Sequence, residues 1–379
     1  MKKILFMIPT LGHGGAEKVL VNLVNNMDKK LFDITVLVLF DGGVNRQFLS
    51  EHIHYKAIFK KTFPFNCKIM TLLSPKFLHR MFIKDSYDIE ISYLEGPTAR
   101  IIAGGKEMWS STAVPHVSTQ YIGWIHGEQH NAKNASYAFR SYKEAKNLYG
   151  KFDKIVCVSN TVAEDFRKIF NINSEIEVLY NTLESEKIRK ESTEEANELE
   201  LIEGEINIVS VGTLKAVKGF DRLLRIHQRL RNINIPVHTY LLGEGEDEAA
   251  LKQQAKELGI SSSVTFLGYK TNPYKYVAKC DLFVCSSHRE GFSTAATEAL
   301  IVGTPVCTTL VSGMKEMLGE NNEYGYITEN NEDALLDGIK RLLTNSELLL
   351  HYKKKSEERG KFFSTERTVR QAEEMLLSL

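Results

Sequence analysis

The 379-residue sequence is poor in proline, with 8, in cysteine, with 5, and in tryptophan, with 2. Little proline beside 43% hydrophobic residues excludes a disordered or collagen-like chain. An odd, scattered set of cysteines excludes a disulfide framework and points to a reducing compartment. Cys280 and Cys285 stand closest, but no second ligand pair accompanies them, which argues against zinc. Net charge is also missing: 48 Lys+Arg meet 48 Asp+Glu, so nucleic acid is not expected as a partner. No apolar run approaches the roughly 18–20 residues that a membrane span needs. The opening MKKILFMIPTLGHGG has the outline of a signal peptide. Its apolar stretch, Ile4 to Ile8, is short and ends in Pro9 and glycines, so it reads as a first core strand. The expectation is a cytoplasmic protein of two or three domains.

The balance of charge hides an uneven distribution. Lys56, Lys60, Lys61, Lys68, Lys76, Arg80 and Lys84 follow one another with no acid between them. Phe59, Phe63, Phe65, Leu72, Leu73, Phe77, Leu78 and Phe82 are interleaved. Cations beside large apolar residues suit an anionic membrane surface, which would place the protein peripherally on the inner face of the cell membrane. The plainer reading of residues 56–84 is two amphipathic helices with a solvated outer face.

Short β-branched runs alternate with helical patterns along the chain, the mark of parallel α/β architecture. Residues 3–8, 32–39, 88–94, 120–126, 154–159 and 175–180 read as strands in the first half. The pattern restarts at 206–212 and continues at 237–243, 263–268, 281–287 and 304–309, with a helical tail from about Asp333. Between the halves, Glu184 to Glu205 holds nine Glu and no aromatic residue. The predicted organisation is a Rossmann-like domain at 1–183, a Glu-rich linker at 184–205 and a second Rossmann-like domain at 206–360. A C-terminal helix at 361–379 is expected to cross back to the first domain. Ligands of such sheets bind beyond the carboxyl ends of the strands, and the cleft between the domains is the expected site.

Three loops carry candidate chemistry. Gly12, Gly14 and Gly15 follow the first strand and open the first helix, where backbone can approach an anion. A dinucleotide fingerprint would need another glycine near position 17, where Glu17 stands; Asp41 could serve as a ribose-binding acid. In the second half, Gly212-Thr213-Leu214-Lys215-Ala216-Val217-Lys218-Gly219 sets two cations between a core strand and its helix. A lysine there can neutralise charge on a departing phosphate. The third loop runs from Ser286 through His288, Arg289, Glu290, Gly291, Phe292, Ser293 and Thr294 into an apolar helix. Its backbone N–H groups at the helix start form a cradle for a diphosphate. Glu290 can reach a sugar hydroxyl, and Glu298, one turn into the helix, ribose hydroxyls. A bare E-x7-E is a weak signal; its weight comes from the strand–loop–helix context.

With these segments in view, the chain resembles the retaining glycosyltransferases of the GT-B fold, the nucleotide-sugar family four, or glycosyl transferases group 1. GHGGAEKV (12–19), SVGTLKAVKGFD (210–221), FLGYKTNPYKYVAKCDLFVCSSHREGF (266–292), EALIVGTPV (298–306) and VSGMKEML (311–318) carry the likeness in that order. The later segments are similar to enzymes that build bacterial surface polysaccharides. The resemblance implies two Rossmann-like doubly wound domains and a nucleoside-diphosphate sugar donor, with UDP as the nucleotide. It implies that Gly14 and Gly15 line the cleft and that His126 stands near the donor sugar. Lys218 would bind phosphate, Glu290 the sugar, Gly291 to Thr294 the diphosphate, and Glu298 the ribose. Gly212 and Thr213 begin the phosphate loop, Gly268 and Tyr269 lie where the base is read, and Glu316 falls near the sugar. The family commonly has Arg where this chain has Thr213; Lys215 and Arg289 are the cations that would compensate.

The expected activity is transfer of a hexose or N-acetylhexosamine, with retention, to a hydroxyl of a glycan or lipid-linked acceptor in a growing cell-surface glycan. No cofactor and no metal is expected, since a helix N-terminus and Lys218 can offset about two charges on the leaving diphosphate. The alternatives are a same-fold nucleotide-sugar epimerase, a phosphorylase-like enzyme, an NAD-dependent oxidoreductase built on Asp41, and a catalytically idle partner subunit that binds sugar nucleotide.

Overall fold

The computed structural model describes residues 1–63, 66–109, 119–129 and 131–379. The chain divides into two units: residues 1–182 with 366–379, and residues 183–365.

The first unit is built on strands β1 (Lys2–Ile8), β2 (Phe32–Phe40), β3 (His54–Phe59), β4 (Ile89–Ser92), β5 (Gln120–Ile125), β6 (Lys154–Cys157) and β7 (Glu175–Val178), ordered β3-β2-β1-β4-β5-β6-β7. Every pairing is parallel. The order reverses between β1 and β4, which opens a crevice beyond their carboxyl ends. Helices cover both faces of such a sheet, so its central strands read as continuous apolar runs; Ile4 to Ile8 are fully buried. The helix Thr365–Leu377 lies mainly in this unit. Its Glu373 accepts the Asp28 N–H at 2.6 Å, and Leu376 O accepts Lys2 Nζ at 3.0 Å.

The second unit repeats the plan with β8 (Ile206–Val211), β9 (Val237–Leu242), β10 (Val264–Gly268), β11 (Leu282–Cys285), β12 (Val306–Thr309) and β13 (Tyr326–Thr328), ordered β10-β9-β8-β11-β12-β13 and again all parallel. Its switch point lies between β8 and β11, the two strands that lead into the candidate loops. Residues 183–205 belong to this unit. Within the Glu-rich stretch, helix Ser185–Ser192 buries Ile188 and packs on helices Tyr274–Val277 and Thr294–Val302.

Two edge strands, β3 and β13, depart from the sequence reading. In β3 the side chains are half-buried or exposed, so the apolar alternation is blurred and Lys56 to Phe59 read as helix instead. Three residues suffice for β13 because it adds to a ready-made edge. The basic stretch is therefore an edge strand followed by two short helices, Asn66–Leu72 and Pro75–Phe82. Phe40, Phe59 and Phe63 pack on one another and Phe82 on Phe59, with ring centroids 5.3–5.7 Å apart, and Leu78 is buried. Phe65 lies outside the described residues. The exposed apolar side chains are Ile69, Leu72, Leu73, Phe77 and Met81. Among the described residues no helix is long and apolar enough to cross a membrane.

Candidate functional site

In the second unit, the loops after β8 and β11 are stitched together. The His288 N–H donates to Val217 O at 2.8 Å, and Ser286 Oγ to Lys218 O at 3.0 Å. Gly219, at φ +64°, makes this approach possible, because a Cβ there would stand 2.2 Å from Ser286 O. The stitching brings two expected residues into direct contact. Lys218 Nζ lies 2.7 and 2.9 Å from the two oxygens of Glu290. With side-chain exposures of 29% and 10%, the pair is more than a solvated surface bridge. Burial works against the Lys218 charge, but the Glu290 charge and its hydrogen bonds prevail and hold the ammonium pKa above its usual value. Ser287 Oγ donates to Glu290 Oε1 at 2.6 Å and gives the carboxylate a second partner on that oxygen.

Immediately beyond Glu290, Ser293 caps helix Thr294–Val302 by accepting the Ala296 N–H at 3.3 Å. Phe292 is buried against Phe363, with ring centroids 6.0 Å apart. Ser293 Oγ thus satisfies one of the helix-start amides, three residues along the chain from Glu290. Glu298 is buried on the same helix, 6% exposed. At the neighbouring strand ends, Gly243 adopts φ +134°, and a Cβ there would lie 1.9 Å from Gly212 O, so two strand-end loops cross in backbone contact. A Cβ on Gly212 itself would sit 3.7 Å from Lys218 Cδ, so the glycine borders the lysine's aliphatic stem. Gly268 O accepts the Gly243 N–H at 2.9 Å, and the Tyr269 N–H reaches Glu244 Oε1 at 3.4 Å with the ring 41% exposed. Gly212, Gly268 and Tyr269 are therefore gathered along one sheet edge.

Thr213 is half-buried, its carbonyl taken by the Lys215 N–H at 2.8 Å. Lys215 and Arg289 line a cavity of about 440 Å³ together with Asp221 and Asp247. Neither Lys218 nor Glu290 contributes to its wall. Glu316 is half-buried, and its carbonyl takes a 2.6 Å bond from Arg359 Nη2.

In the first unit, Gly14 caps helix Gly15–Asn26, and the Glu17 carboxylate folds back over it, 2.1 Å from where a Cβ would stand. Burial raises the Glu17 pKa. Asp41 is engaged by Arg46 Nη1 at 2.8 Å and by the Tyr55 hydroxyl at 2.7 Å. His126 follows β5, its ring 4.8 Å from Tyr93. Burial pushes its pKa down to about 3, so the ring is neutral. Nε2 is buried and has no hydrogen-bond partner among the described residues. Such an atom costs on the order of 1–3 kcal/mol unless something meets it, a state it shares with the buried Trp124 Nε1 on β5.

Two residues that sequence reasoning passed over hold these loops. Glu95, beyond β4, accepts the His126 N–H at 3.0 Å and is also bonded by the Gly127 N–H and the Gln129 side chain. Burial raises its pKa against the pull of those donors. Arg222, 3% exposed, donates to the carbonyls of Ser286 and Ser287. A polar residue among the buried positions of a mainly apolar helix face, as in FDRLLRIHQRL, was the available signal for Arg222, and His227 shares it. For Glu95 there was none. Among the described residues no group of three His, Cys, Asp or Glu side chains is placed to hold a metal ion.

Comparison with known proteins matches the two halves of the chain separately. Residues 13–187 match the family described as Glycosyltransferase Family 4, and residues 191–359 the family described as Glycosyl transferases group 1. The chain is 30% identical, over 100% of both sequences, to the N-acetylgalactosamine-N,N'-diacetylbacillosaminyl-diphospho-undecaprenol 4-alpha-N-acetylgalactosaminyltransferase of Campylobacter jejuni. It is 27% identical to an uncharacterized glycosyltransferase of Haemophilus influenzae, over 97% of this chain and 98% of the other. In fold it is similar to HepE of Anabaena, solved with UDP and glucose, at TM-score 0.79 and 18% identity over 100% of both chains. A sucrose-phosphate synthase of Thermosynechococcus elongatus gives TM-score 0.77 at 15% identity, over 100% of this chain and 99% of the other. Both have the GT-B fold that the two parallel sheets described above form.

Proposed function

The chain belongs to the glycosyl transferases of group 1 and has the GT-B fold, and from that premise we propose that it is a retaining, metal-independent transferase using a UDP-sugar. It moves a hexose or N-acetylhexosamine to a hydroxyl of a lipid-linked acceptor during growth of a bacterial cell-surface glycan. The observation that carries the donor half is the Lys218–Glu290 pair, braced by Ser287, at the mouth of helix Thr294–Val302. The acceptor class is taken from the name of the Campylobacter relative, which contains a diphospho-undecaprenol, and UDP from the ligand solved with HepE.

In contact, lysine and glutamate neutralise each other. A donor competes for both: its diphosphate draws the Lys218 ammonium and the amides of residues 292–294, while a sugar hydroxyl takes its place on Glu290. In the transfer itself, the bond from the anomeric carbon to the phosphate oxygen breaks. The acceptor oxygen bonds the same face of that carbon, and its proton passes to the departing phosphate. Lys218 and the helix start stabilise the charge left on the diphosphate. His126 offers a hydrogen bond at Nε2 without adding positive charge near a carbon that is itself becoming positive. Glu298 is assigned to the ribose, Gly268 and Tyr269 to the base, and Gly14 and Gly15 to the donor phosphate. Incubation of purified protein with UDP-sugars and a lipid-diphosphate acceptor tests the reading. Turnover that Glu290→Ala abolishes is expected; UDP-sugar consumption without an acceptor would favour an epimerase or a hydrolase.

The surface of helices Asn66–Leu72 and Pro75–Phe82 is assigned to the membrane that carries such an acceptor. Ile69, Leu72, Leu73, Phe77 and Met81 are exposed beside Lys68, Lys76, Arg80 and Lys84. Arg100 and Arg140 tie down the end of the first of these helices by donating to the carbonyls of Met70, Thr71, Leu72 and Leu73 at 2.6–2.9 Å. Each cation near an anionic surface contributes about 1 kcal/mol. Replacing Lys60, Lys61, Arg80 and Lys84 by Gln should lower co-sedimentation with phosphatidylglycerol vesicles; unchanged sedimentation would assign the patch to solvent.

A further inference from the structure

Every carbonyl of the turn 286–288 is tied to a donor on another element. Arg222, in the first turn of helix Phe220–Asn232, donates Nε to Ser286 O and Nη2 to Ser287 O, both at 2.6 Å. Thr309 Oγ1 gives Ser287 O a second bond at 2.7 Å. Asn330 Nδ2 reaches His288 O at 2.9 Å, while its Oδ1 accepts Arg222 Nη1 at 2.9 Å. The same guanidinium lies under the other loop, since a Cβ on Gly219 would come within 2.8 Å of Arg222 Nε. Arg222 therefore stands where the loop bearing Lys218 and the loop bearing Glu290 cross. It is 3% exposed and, among the described residues, no carboxylate shares a hydrogen bond with it. A buried guanidinium whose fork is filled by neutral oxygens is held by shape: two carbonyls are spanned at fixed spacing, which a lysine cannot do.

We propose that Arg222 is the positioning residue of the transfer site, its fork setting the turn 286–288 and, through Ser287 Oγ, the point at which the Glu290 carboxylate meets Lys218 and the donor sugar. This rests on the transferase reading of the Lys218–Glu290 site. Displacing a binding group by about 1 Å costs on the order of 10²-fold in rate, whereas the base and ribose, assigned to Gly268, Tyr269 and Glu298, lie outside the turn 286–288.

The test uses the full chain in four forms: wild type, Arg222→Lys, Glu290→Gln and the double variant, assayed for kcat and for UDP affinity by calorimetry. Arg222→Lys keeps the charge and should still lower kcat about 10–100-fold, with UDP affinity changed less than about threefold. The double variant should be no slower than Glu290→Gln alone, because both act through one group. Asn330→Ala removes one arm of the network at an exposed position and should lower kcat by about threefold, again with no added effect beside Glu290→Gln. Wild-type kcat in Arg222→Lys and in Asn330→Ala, or losses that multiply with that of Glu290→Gln, would overturn the assignment. Wild-type turnover in Glu290→Gln would instead remove the site reading on which it rests.

Discussion

The loop bearing His126 in the first unit and the loop bearing Glu290 in the second solve one problem with opposite charges. Each leaves the end of a parallel strand, where the sheet no longer supplies hydrogen bonds, and each is held by one buried ionisable residue. In the first unit the holder is an acid: Glu95 gathers the N–H groups of His126 and Gly127. In the second it is a base: Arg222 gathers the carbonyls of Ser286 and Ser287. The choice of sign decides what is left over for a ligand. Tying back carbonyls suits a loop that leads into helix-start amides, the groups an anion would meet. Tying back N–H groups suits a loop that presents a neutral imidazole to something uncharged. On the proposed reading, the diphosphate is assigned to the loop bearing Glu290 and a sugar contact to the loop bearing His126.

The largest effect should come from the cationic side. Lys218→Ala is expected to lower kcat by about 10²–10³ and to leave Glu290 buried without its counter-charge; a rate within threefold of wild type would remove Lys218 from the leaving-group role. A smaller effect is expected on the acidic side. Glu95→Gln keeps one acceptor oxygen but weakens the bonds to the His126 and Gly127 amides, and should lower kcat by about tenfold at unchanged UDP affinity. Loss of UDP binding in that variant would mean the two loops are not divided between sugar and diphosphate as described.

The smallest effect is on stability against pH. His126 and His227 are held neutral by burial, at about 3 and about 4, well below the roughly 6.5 of an unfolded chain. Between about pH 6.5 and 4 the unfolded state therefore binds more protons, and stability must fall as pH falls. Glu95, raised by burial, acts in the opposite sense above about pH 4.3, since there the folded state is the one that holds the extra proton. Urea midpoints measured across pH 4.5–7 should decline towards acid, and His126→Gln should flatten the decline. An identical slope in the variant would place the imidazole in water.

The doubly wound sheets were legible because strands buried on both faces, such as Ile4–Ile8 and Leu282–Cys285, leave unbroken apolar runs. Lys218, Glu290 and the glycines around them were legible through their place between strand and helix. What escaped notice was either marginal or long-range. The edge strands β3 and β13 bury too little to impose alternation. Glu95 and Arg222 act on partners 31 and 64 residues away, a relation that no local spacing reports. The phenylalanines of the basic stretch show the converse limit. Composition placed Phe59, Phe63 and Phe82 on a surface, yet Phe59 and Phe63 pack with Phe40 and Phe82 packs on Phe59, and the exposed role falls to Leu72, Leu73 and Phe77.

The central claim is that the lysine–glutamate pair opens to receive a sugar diphosphate. A crystal structure of the protein soaked with a non-hydrolysable UDP-sugar tests it most directly. The expected result is Lys218 Nζ on a phosphate oxygen, the amides of residues 292–294 on the same diphosphate, and a sugar hydroxyl on Glu290. A bound donor elsewhere, with Lys218 Nζ still 2.7 Å from Glu290 Oε1, would contradict the account.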